Sequence, residues 1–246
     1  MALAPLIMLI IFKYVPMYGI LIAFKNYKAS KGVWGSNWLE PVLKNFIKFF
    51  QNVNSGQIIW NTLKIGVLNL LFTFPAAIIF AILLNEIKSG PVRKFVQTFT
   101  TLPNFISWVI IFSLAFSLFS TDGLLTSVFT KLTGAEQAQS VLSSKGSVYW
   151  FQTFLAQWKT LGWNSIIYLA AIAGIDQQQY EAAKVDGAGY FRCAWHVTVP
   201  AMMETYVVLF ILNVGNFLNT GYEQYMLFKN SVTAPAIEVL DLYVYR

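Results

Sequence analysis

Five long apolar stretches alternate with shorter polar ones along this 246-residue chain. Each apolar stretch has about twenty residues or more, the length that an α-helix needs to cross the hydrocarbon core of a bilayer. The alternation therefore predicts an all-α fold, a polytopic transmembrane helix bundle with about five spans. We expect residues 1–246 to form a single transmembrane domain. The predicted spans cover residues 2–24, 58–85, 95–120, 148–175 and 202–222.

Proline and glycine mark the places where these spans are expected to bend. Pro16 and Gly19 suggest a bend or a break in the first span, and Pro75 suggests a kink in the second. A Pro103-Asn104 pair interrupts the early part of the third span. Proline in a helix removes one backbone hydrogen bond and clashes with the preceding turn, so neighbouring helices must cover the backbone at these positions.

The polar connections differ in character. Residues 24–57 carry five lysines, and the apolar positions of Pro41–Phe50 recur with the spacing of a short amphipathic helix. That helix lies either along the membrane surface or against the bundle. Residues 86–94 are typical of a tight polar turn, and residues 121–147 of an exposed loop.

Composition supports the membrane class. Of all residues 57% are hydrophobic and 11% are charged, whereas a soluble domain has about 25% charged residues. The net charge of +6 comes without a dense basic run, so it fits lysines and arginines that flank spans and argues against nucleic-acid binding. The single Cys193 and the single His196 exclude an internal disulfide and a histidine-rich metal site, and we expect no metal.

The fourth and fifth spans contain polar side chains that a lipid-facing helix would not keep. Lys159 lies in the middle of the fourth span, where a charge indicates function or pairing. Asn213, Asn216 and Asn219 are three residues apart in the fifth span. We expect these three on one helical stripe, with hydrogen bonds to neighbouring helices.

The polar segment between these two spans, Tyr180–Pro200, has an internal order of its own. Glu181-Ala182-Ala183 begins a short run of helix formers, and Gly187 lets the chain turn without a Cβ clash. Pro200 suits the first turn of a new helix. From the residues alone, the segment is a helix–turn–helix hinge between two membrane spans.

The spacing within this segment resembles the signature loop of binding-protein-dependent ABC importer permeases. That loop has Glu-Ala-Ala, a glycine after three further residues, and aliphatic-x-aliphatic-Pro after nine more; this chain has Glu181, Ala182, Ala183, Gly187, Val197, Val199 and Pro200. Valine stands where the family usually has isoleucine and leucine. The resemblance implies the type I ABC importer permease fold, with residues 176–201 as a cytoplasmic loop. The ATPase-coupling residues that it implies are Glu181, Ala182, Ala183, Asp186, Gly187, Ala188 and Pro200.

The same resemblance implies a multi-pass protein of the bacterial cell (inner) membrane that is a transport subunit and not an enzyme. Such permeases pair with a second homologous permease subunit, an ATP-binding subunit dimer inside, and an extracytoplasmic solute-binding protein outside. ATP and Mg²⁺ would be bound by the partner ATPase, because this sequence has no Gly-x-x-x-x-Gly-Lys-Ser/Thr loop; we expect no cofactor in this chain. The family's last helix would lie beyond this chain, which we expect to be cut short at both ends.

Further stretches resemble carbohydrate-uptake permeases of the maltose type, especially those that serve larger oligosaccharides. These stretches are YVPMYGILIAFKNY (residues 14–27), KNFIKFF (44–50), LPNFISWVI (102–110), GWNSIIYLAAIAGID (162–176) and LDLYVYR at the end. We therefore expect a sugar, held by aromatic stacking and by hydrogen bonds to amides and carboxylates. The candidate substrate-pathway residues are Trp108, Trp158, Lys159, Trp163, Asn213, Asn216 and Glu223. For each tryptophan, anchoring at the lipid interface or core packing is the alternative.

Other transport roles stay open at this point. A permease for peptides or amino acids would share the signature loop. An ion-coupled secondary transporter would need carboxylates within its spans, and Glu204 and Glu223 are the nearest to this position. The orientation also rests on the motif. A cytoplasmic loop 176–201 places the five lysines of residues 25–57 outside, against the positive-inside rule.

Overall fold

The computed structural model describes residues 3–133 and 140–246. Regular secondary structure in these residues is helical, apart from one isolated antiparallel bridge between Lys25 and Trp38. The chain divides into two compact units, residues 1–56 and 57–246, and each is described by itself. The expectation of a single transmembrane domain over residues 1–246 stays a prediction.

The first unit begins with a helical run, Leu3–Phe24, that changes type along its length. An α-helix α1 (Leu3–Leu9) passes into a π-helical turn (Ile10–Tyr14) and then a 3₁₀ helix (Val15–Phe24) with Pro16 in its first turn. The helix therefore changes type at Val15, directly before Pro16, but the helical run continues to Phe24 without the expected break. Two further helices follow, α2 (Gly32–Gly35) and α3 (Lys44–Gln51).

Helix α3 occupies most of the predicted amphipathic segment and buries none of its side chains. The amide of Asn45 in this helix donates a hydrogen bond of 2.9 Å to the carbonyl of Ala23, which ties α3 to the end of the 3₁₀ helix. Whether α3 lies on the membrane surface stays a prediction.

The second unit is built on two long helices. Helix α4 (Ser55–Asn85), which starts at the end of the first unit, has 31 residues and a length of ~46 Å at 1.5 Å per residue; Pro75 lies inside it. Helix α8 (Val148–Ala173) has 26 residues and a length of ~39 Å. The other helices are α5 (Gly90–Thr101), α6 (Trp108–Phe119), α7 (Leu124–Thr133), α9 (Gln177–Val185), α10 (Tyr190–Cys193), α11 (Val199–Gly215), α12 (Tyr222–Phe228), α13 (Ala234–Ile237) and α14 (Leu240–Tyr245).

The predicted span over residues 95–120 is broken in the structure. Helix α5 ends at Thr101, a 3₁₀ turn covers Leu102–Phe105, and α6 begins at Trp108. Pro103 lies in the first turn of this 3₁₀ segment and is buried. The interruption expected at Pro103-Asn104 is thus present, and it is a complete break because Ile106 and Ser107 are extended.

The expected loop over residues 121–147 contains more structure than its polar composition indicated. Helix α7 occupies Leu124–Thr133, and a 3₁₀ turn covers Val141–Ser143. Residues 134–139 of this predicted loop lie outside the described residues.

Pro200 lies in the first turn of α11, as expected, but α11 continues an earlier helix and does not begin a separate one. Helix α10, a π-helical turn (Ala194–Thr198) and α11 form one continuous helical run, Tyr190–Gly215. The wider π turn lets the amide of Val199 bond to the carbonyl of Ala194, five residues earlier. This widening leaves room for the proline ring, which would clash with the fourth carbonyl before it in a regular α-helix.

The predicted span over residues 202–222 also ends earlier than expected. Helix α11 stops at Gly215, and Asn216 caps it. Gly221 has a φ of 78°, a left-handed conformation that glycine adopts without strain, and α12 starts directly after it. The Asn216 side chain donates to the carbonyl of Leu212 at 2.9 Å, and such competition with the backbone ladder favours helix ends.

Four helical stretches in the described residues are long and apolar enough to cross a membrane, and α8 is not among them. Polar residues such as Gln152, Gln157, Lys159 and Asn164 lower its hydropathy. The fourth predicted span therefore exists as a long helix, and its membrane crossing stays a prediction. The four stretches are Leu3–Phe24, Ser55–Asn85, Trp108–Thr133 and Tyr190–Gly215.

Two clusters of buried apolar side chains pack α4 against α8. The first cluster includes Ile65 of α4 and Leu155 of α8, with residues from α6 and from α12 to α14. The second includes Ala77 of α4 and Tyr168 of α8, with Met202 of α11. Between the clusters, the middle turns of both helices carry polar side chains.

The joint between α5 and α8 is unusually close. A Cβ added to Gly162 of α8 would lie 2.3 Å from the carbonyl oxygen of Thr100 near the end of α5. No side chain fits at this distance, so the glycine permits the two helix backbones to meet. This contact fixes the position of the broken segment beside the middle of α8.

Candidate transport cavity and coupling loop

The loop predicted to couple to an ATPase is an exposed helix with defined ends. Asp176 caps α9, its carboxylate accepting a hydrogen bond of 3.0 Å from the amide of Gln178. Glu181 and Ala182 are exposed on this helix, and Ala183 is half-buried. A carboxylate on an exposed, rigid helix is available for a charge-assisted contact with a partner.

The turn after α9 is a Schellman motif. The amide of Ala188 bonds to the carbonyl of Ala183 at 2.9 Å, and the amide of Gly187 bonds to the carbonyl of Lys184 at 3.0 Å. Gly187 has a φ of 76°, the left-handed conformation that this motif requires. The sequence prediction that Gly187 turns the chain is confirmed. Asp186, the residue before it, caps the helix end.

This loop also exposes apolar side chains for which the sequence predicted no role. Phe191 is 92% exposed and Val185 is 87% exposed, and Trp195 also lies mostly in the open. Fully exposed large apolar side chains in a polar loop are typical of an interaction surface. Pro200 is exposed at the start of α11.

A hydrogen bond fixes the loop to the helix that follows. The hydroxyl groups of Tyr180 in α9 and Thr198 in the π turn lie 2.9 Å apart. A cavity of about 360 Å³ lies between α9 and the end of α4, with Glu86 and Lys184 on its wall. Burial raises the pKa of the Glu86 carboxyl above its ordinary value, although Lys184 and Lys88 oppose this shift.

A second cavity, of about 260 Å³, is lined by α4, α8 and the end of α11 in the second unit. We call it the polar cavity. Along α4 and α8 it falls between the two apolar clusters, and the segment that follows α11 closes one side. Its polar lining consists of Asn69, Thr73, Thr160, Asn164, Asn213, Asn216, Asn219 and Thr220.

The asparagines of the fifth predicted span line this cavity, but not in the expected way. Asn213 donates to the carbonyl of Leu209, and Asn216 to that of Leu212, each at 2.9 Å within their own helix. The expected hydrogen bonds to neighbouring helices are therefore replaced by bonds along α11. Asn219 lies in the turn beyond the helix end, so the three do not form one helical stripe.

Two cavity-lining side chains carry buried oxygen atoms without a hydrogen-bond partner. They are Oδ1 of Asn69 on α4 and Oγ1 of Thr220 in the turn before α12. Buried polar atoms in folded proteins are normally paired. Neither residue was predicted from the sequence to be a site residue, because each is an isolated polar residue in an apolar or turn-like segment.

The other predicted pathway residues lie outside the lining of the polar cavity. Trp158 lines an apolar cavity of about 290 Å³ beside the α5–α6 break. The ring of Trp163 packs edge-on against Phe105 at 5.8 Å. For Trp163 the packing alternative describes the observed contact. Glu223 is exposed in the first turn of α12 and interacts electrostatically with Lys159.

Lys159 binds backbone carbonyls. Its ammonium donates to Pro103 at 3.2 Å, to Asn104 at 3.0 Å and to Ile106, and it lies 5.5 Å from the ring centre of Trp108. These carbonyls belong to the α5–α6 break, where the carbonyl of Pro103 also accepts from the amide of Ile106 at 3.2 Å. The pairing expected for a charge within a span is therefore present, and its partner is the backbone.

The long apolar helices, the polar cavity between them and the exposed helical loop define a polytopic membrane transport protein. The chain belongs to the family of binding-protein-dependent transport system inner membrane components, whose model matches residues 73–246. It is accordingly a permease subunit of an ABC importer in the inner membrane, a transport component that leaves ATP hydrolysis to a separate subunit.

Curated relatives and solved structures agree with this assignment. The chain is 42% identical to protein LplB of Bacillus subtilis (strain 168) over 98% of this chain and 74% of LplB. It is 43% identical to the polygalacturonan/rhamnogalacturonan transport system permease protein YteP of the same organism, over 96% and 73%. A bacterial ABC transporter for import of the acidic polysaccharide alginate contains a chain that is 32% identical, with a TM-score of 0.86, over 100% of this chain and 81% of that one. The type I ABC importer permease fold expected from the signature loop is confirmed.

Proposed function

We propose that this chain forms half of the translocation pathway of an ATP-driven importer for sugars, in particular oligosaccharides. The observation that carries the proposal is the polar cavity, whose amide and hydroxyl side chains lie at mid-height between α4, α8 and the end of α11. Amides and hydroxyls are the groups that bind sugar hydroxyls without a full charge. The named sugar permeases among the relatives support the same substrate class.

The partners follow from the same reasoning. A structure similar to this chain belongs to an alginate transporter in complex with a periplasmic protein that carries an alginate pentasaccharide. We propose a solute-binding protein of this kind outside, a second homologous permease subunit that completes the pathway, and an ATP-binding subunit dimer inside. ATP and Mg²⁺ then bind to that dimer.

Loop 176–201 is the proposed contact with the ATP-binding subunit. Its Glu181 is exposed on a helix that is capped at both ends, and the apolar side chains of Val185 and Phe191 stand free beside it. The bond between Tyr180 and Thr198 links α9 to the helical run that leads to α11. A movement of the ATP-binding subunits would therefore reach the wall of the polar cavity through rigid helices.

The test is transport and ATP hydrolysis by the complete importer in proteoliposomes, with binding protein and a panel of oligosaccharides, peptides and amino acids. We expect one sugar class to stimulate both activities. Glu181→Gln should weaken sugar-stimulated ATP hydrolysis by about tenfold, the scale of one charge-assisted contact of ~1.4 kcal/mol.

Glu40→Gln is the matched control, since it removes another exposed carboxylate far along the chain from the loop. Stimulation by peptides or amino acids in place of sugars would overturn the proposed substrate. Full sugar-stimulated activity in Glu181→Gln would overturn the proposed role of this carboxylate.

A further inference from the structure

The polar cavity offers no charged side chain to a ligand. None of the residues that line it is ionisable, and its polar groups are amides and hydroxyls. One relative is named for polygalacturonan/rhamnogalacturonan and one similar structure belongs to an importer of the acidic polysaccharide alginate, so a cation would be expected in a site that binds their carboxylates. Lys159 does not serve, because its ammonium is held by the carbonyls of the α5–α6 break.

The orientation of the asparagine amides determines which atoms remain for a ligand. A backbone carbonyl can accept only from the NH₂ group of an amide. Because Nδ2 of Asn213 and Nδ2 of Asn216 each use one N–H on a carbonyl of α11, each amide keeps its oxygen and its second N–H for a ligand. On the opposite wall, Oδ1 of Asn69 is buried and without a partner, and this atom can only accept.

The helix end adds to this acceptor character. Helix α11 has 17 residues and ends at the cavity with Gly215 and Asn216. The C-terminus of an α-helix carries a partial negative charge of about half an elementary charge. An anion at this position is disfavoured, whereas a hydroxyl hydrogen is favoured.

From these observations we propose that the polar cavity is a subsite for the hydroxyl-bearing face of one sugar residue and that it excludes carboxylates. This inference rests on the proposed function and gives it a finer specificity. Hydroxyl donors of the sugar satisfy Asn69 and the free amide oxygens, and the carboxylates of an acidic oligosaccharide point out of the cavity. Recognition of charge in such a substrate then lies in other parts of the importer.

Cysteine protection tests the proposal in the complete importer in nanodiscs. Asn164→Cys places a thiol in the cavity wall at a side chain for which the structure gives no hydrogen bond, in a background with Cys193→Ser. The rate of maleimide labelling is measured with an oligogalacturonide and with its methyl ester, which has the same ring hydroxyls and no charge. We expect both sugars to slow labelling, the ester at an equal or lower concentration.

Two further variants test whether slower labelling reports sugar bound in the polar cavity. Asn54 lies in an exposed loop, and sugars should leave the labelling rate of Asn54→Cys unchanged. Thr220→Val, added to Asn164→Cys, removes one unpaired oxygen at nearly constant volume. It should raise the half-protecting concentration of both sugars about fivefold, the scale of one hydrogen bond of ~1 kcal/mol.

Sugar uptake by the same importer variants in proteoliposomes separates this inference from the proposed function. The carboxylate-excluding subsite would be overturned if the importer takes up sugar but no sugar slows labelling at position 164. It would also be overturned if the methyl ester needs a tenfold or higher concentration than the acid to give the same protection. Either result would leave the importer assignment intact. Absence of sugar uptake in the parent importer would overturn the proposed function itself.

Discussion

Replacing Lys159 with methionine separates a structural role from a substrate role for this residue. The change keeps the length of the side chain and removes its ammonium. In the structure that ammonium donates to the carbonyls of Pro103 and Asn104 at 3.2 and 3.0 Å and to that of Ile106. Lys159→Met removes this donor from all three carbonyls, of which that of Pro103 still accepts from the amide of Ile106.

The expected loss of stability follows from the number of bonds. A hydrogen bond between membrane helices contributes about 0.6 kcal/mol on average, and a bond with a charged donor about 1.5–3 kcal/mol. Three bonds thus give about 2 kcal/mol on the lower figure and more on the upper one. Methionine also avoids the cost of burying a charge, which offsets part of the loss. We expect Lys159→Met to lower the free energy of unfolding by about 2 kcal/mol.

Denaturant titration of the purified importer in mixed micelles measures this loss, with helicity as the signal. Lys131→Met is the matched control, because Lys131 is exposed on α7 and the same chemical change there should leave stability within about 0.5 kcal/mol. The sugar selectivity of uptake should not change in Lys159→Met, since Lys159 does not line the polar cavity. A stable Lys159→Met with altered selectivity would refute this reasoning and return Lys159 to the substrate pathway.

Three other substitutions test the joints around the cavity and the loop. Gly162→Ala should destabilise the importer by about 1–3 kcal/mol or more in the same titration, because the new Cβ would lie 2.3 Å from the Thr100 carbonyl; unchanged stability would contradict the close α5–α8 contact. Gly187→Ala forces an alanine into a left-handed conformation with a φ of 76°, so it should lower the free energy of unfolding by about 1 kcal/mol and reduce coupled ATP hydrolysis. Gly189 has a negative φ and open space around it, so Gly189→Ala should change neither. Burial raises the pKa of Glu86, so its ionised form opposes folding at neutral pH; Glu86→Gln should be more stable than the parent at pH 7, with a difference that vanishes as pH falls below the ordinary carboxyl value of 4.5. A difference that grows towards acid pH would show that ionised Glu86 is stabilising.

Most of the helical architecture could be predicted because its signals are local. Runs of apolar residues predict long helices wherever they occur, and the spacing of Glu181 and Gly187 predicts a short helix followed by a turn. Pro103 signals the break between α5 and α6 for the same reason, since the lost hydrogen bond belongs to the proline itself. The short helix and the turn at Gly187 were therefore predicted correctly, including the need for glycine at this position.

The polar cavity could be predicted only in part, because its signals depend on neighbours that are distant in sequence. Asn213 and Asn216 were found from their spacing, but Asn69 stands alone in a long apolar span. Nothing local states which face of α4 meets α8. The end of α11 was also missed. A helix that ends where asparagine side chains bond to carbonyls of the preceding turn has the same apolar pattern as a helix that continues.

The interrupted helices and the polar composition of α8 have a common explanation. Irregular backbone at membrane depth is tolerated where protein or a water-filled cavity covers it. Both breaks, Leu102–Ser107 and Asn216–Thr220, lie beside the middle of α8. Lys159 satisfies the carbonyls of the first, and Thr160 and Asn164 face the second across the cavity. Lys159, one of the side chains that lower the hydropathy of α8, thus helps to make the first break possible, and replacing it with an apolar residue should destabilise the importer rather than improve its insertion.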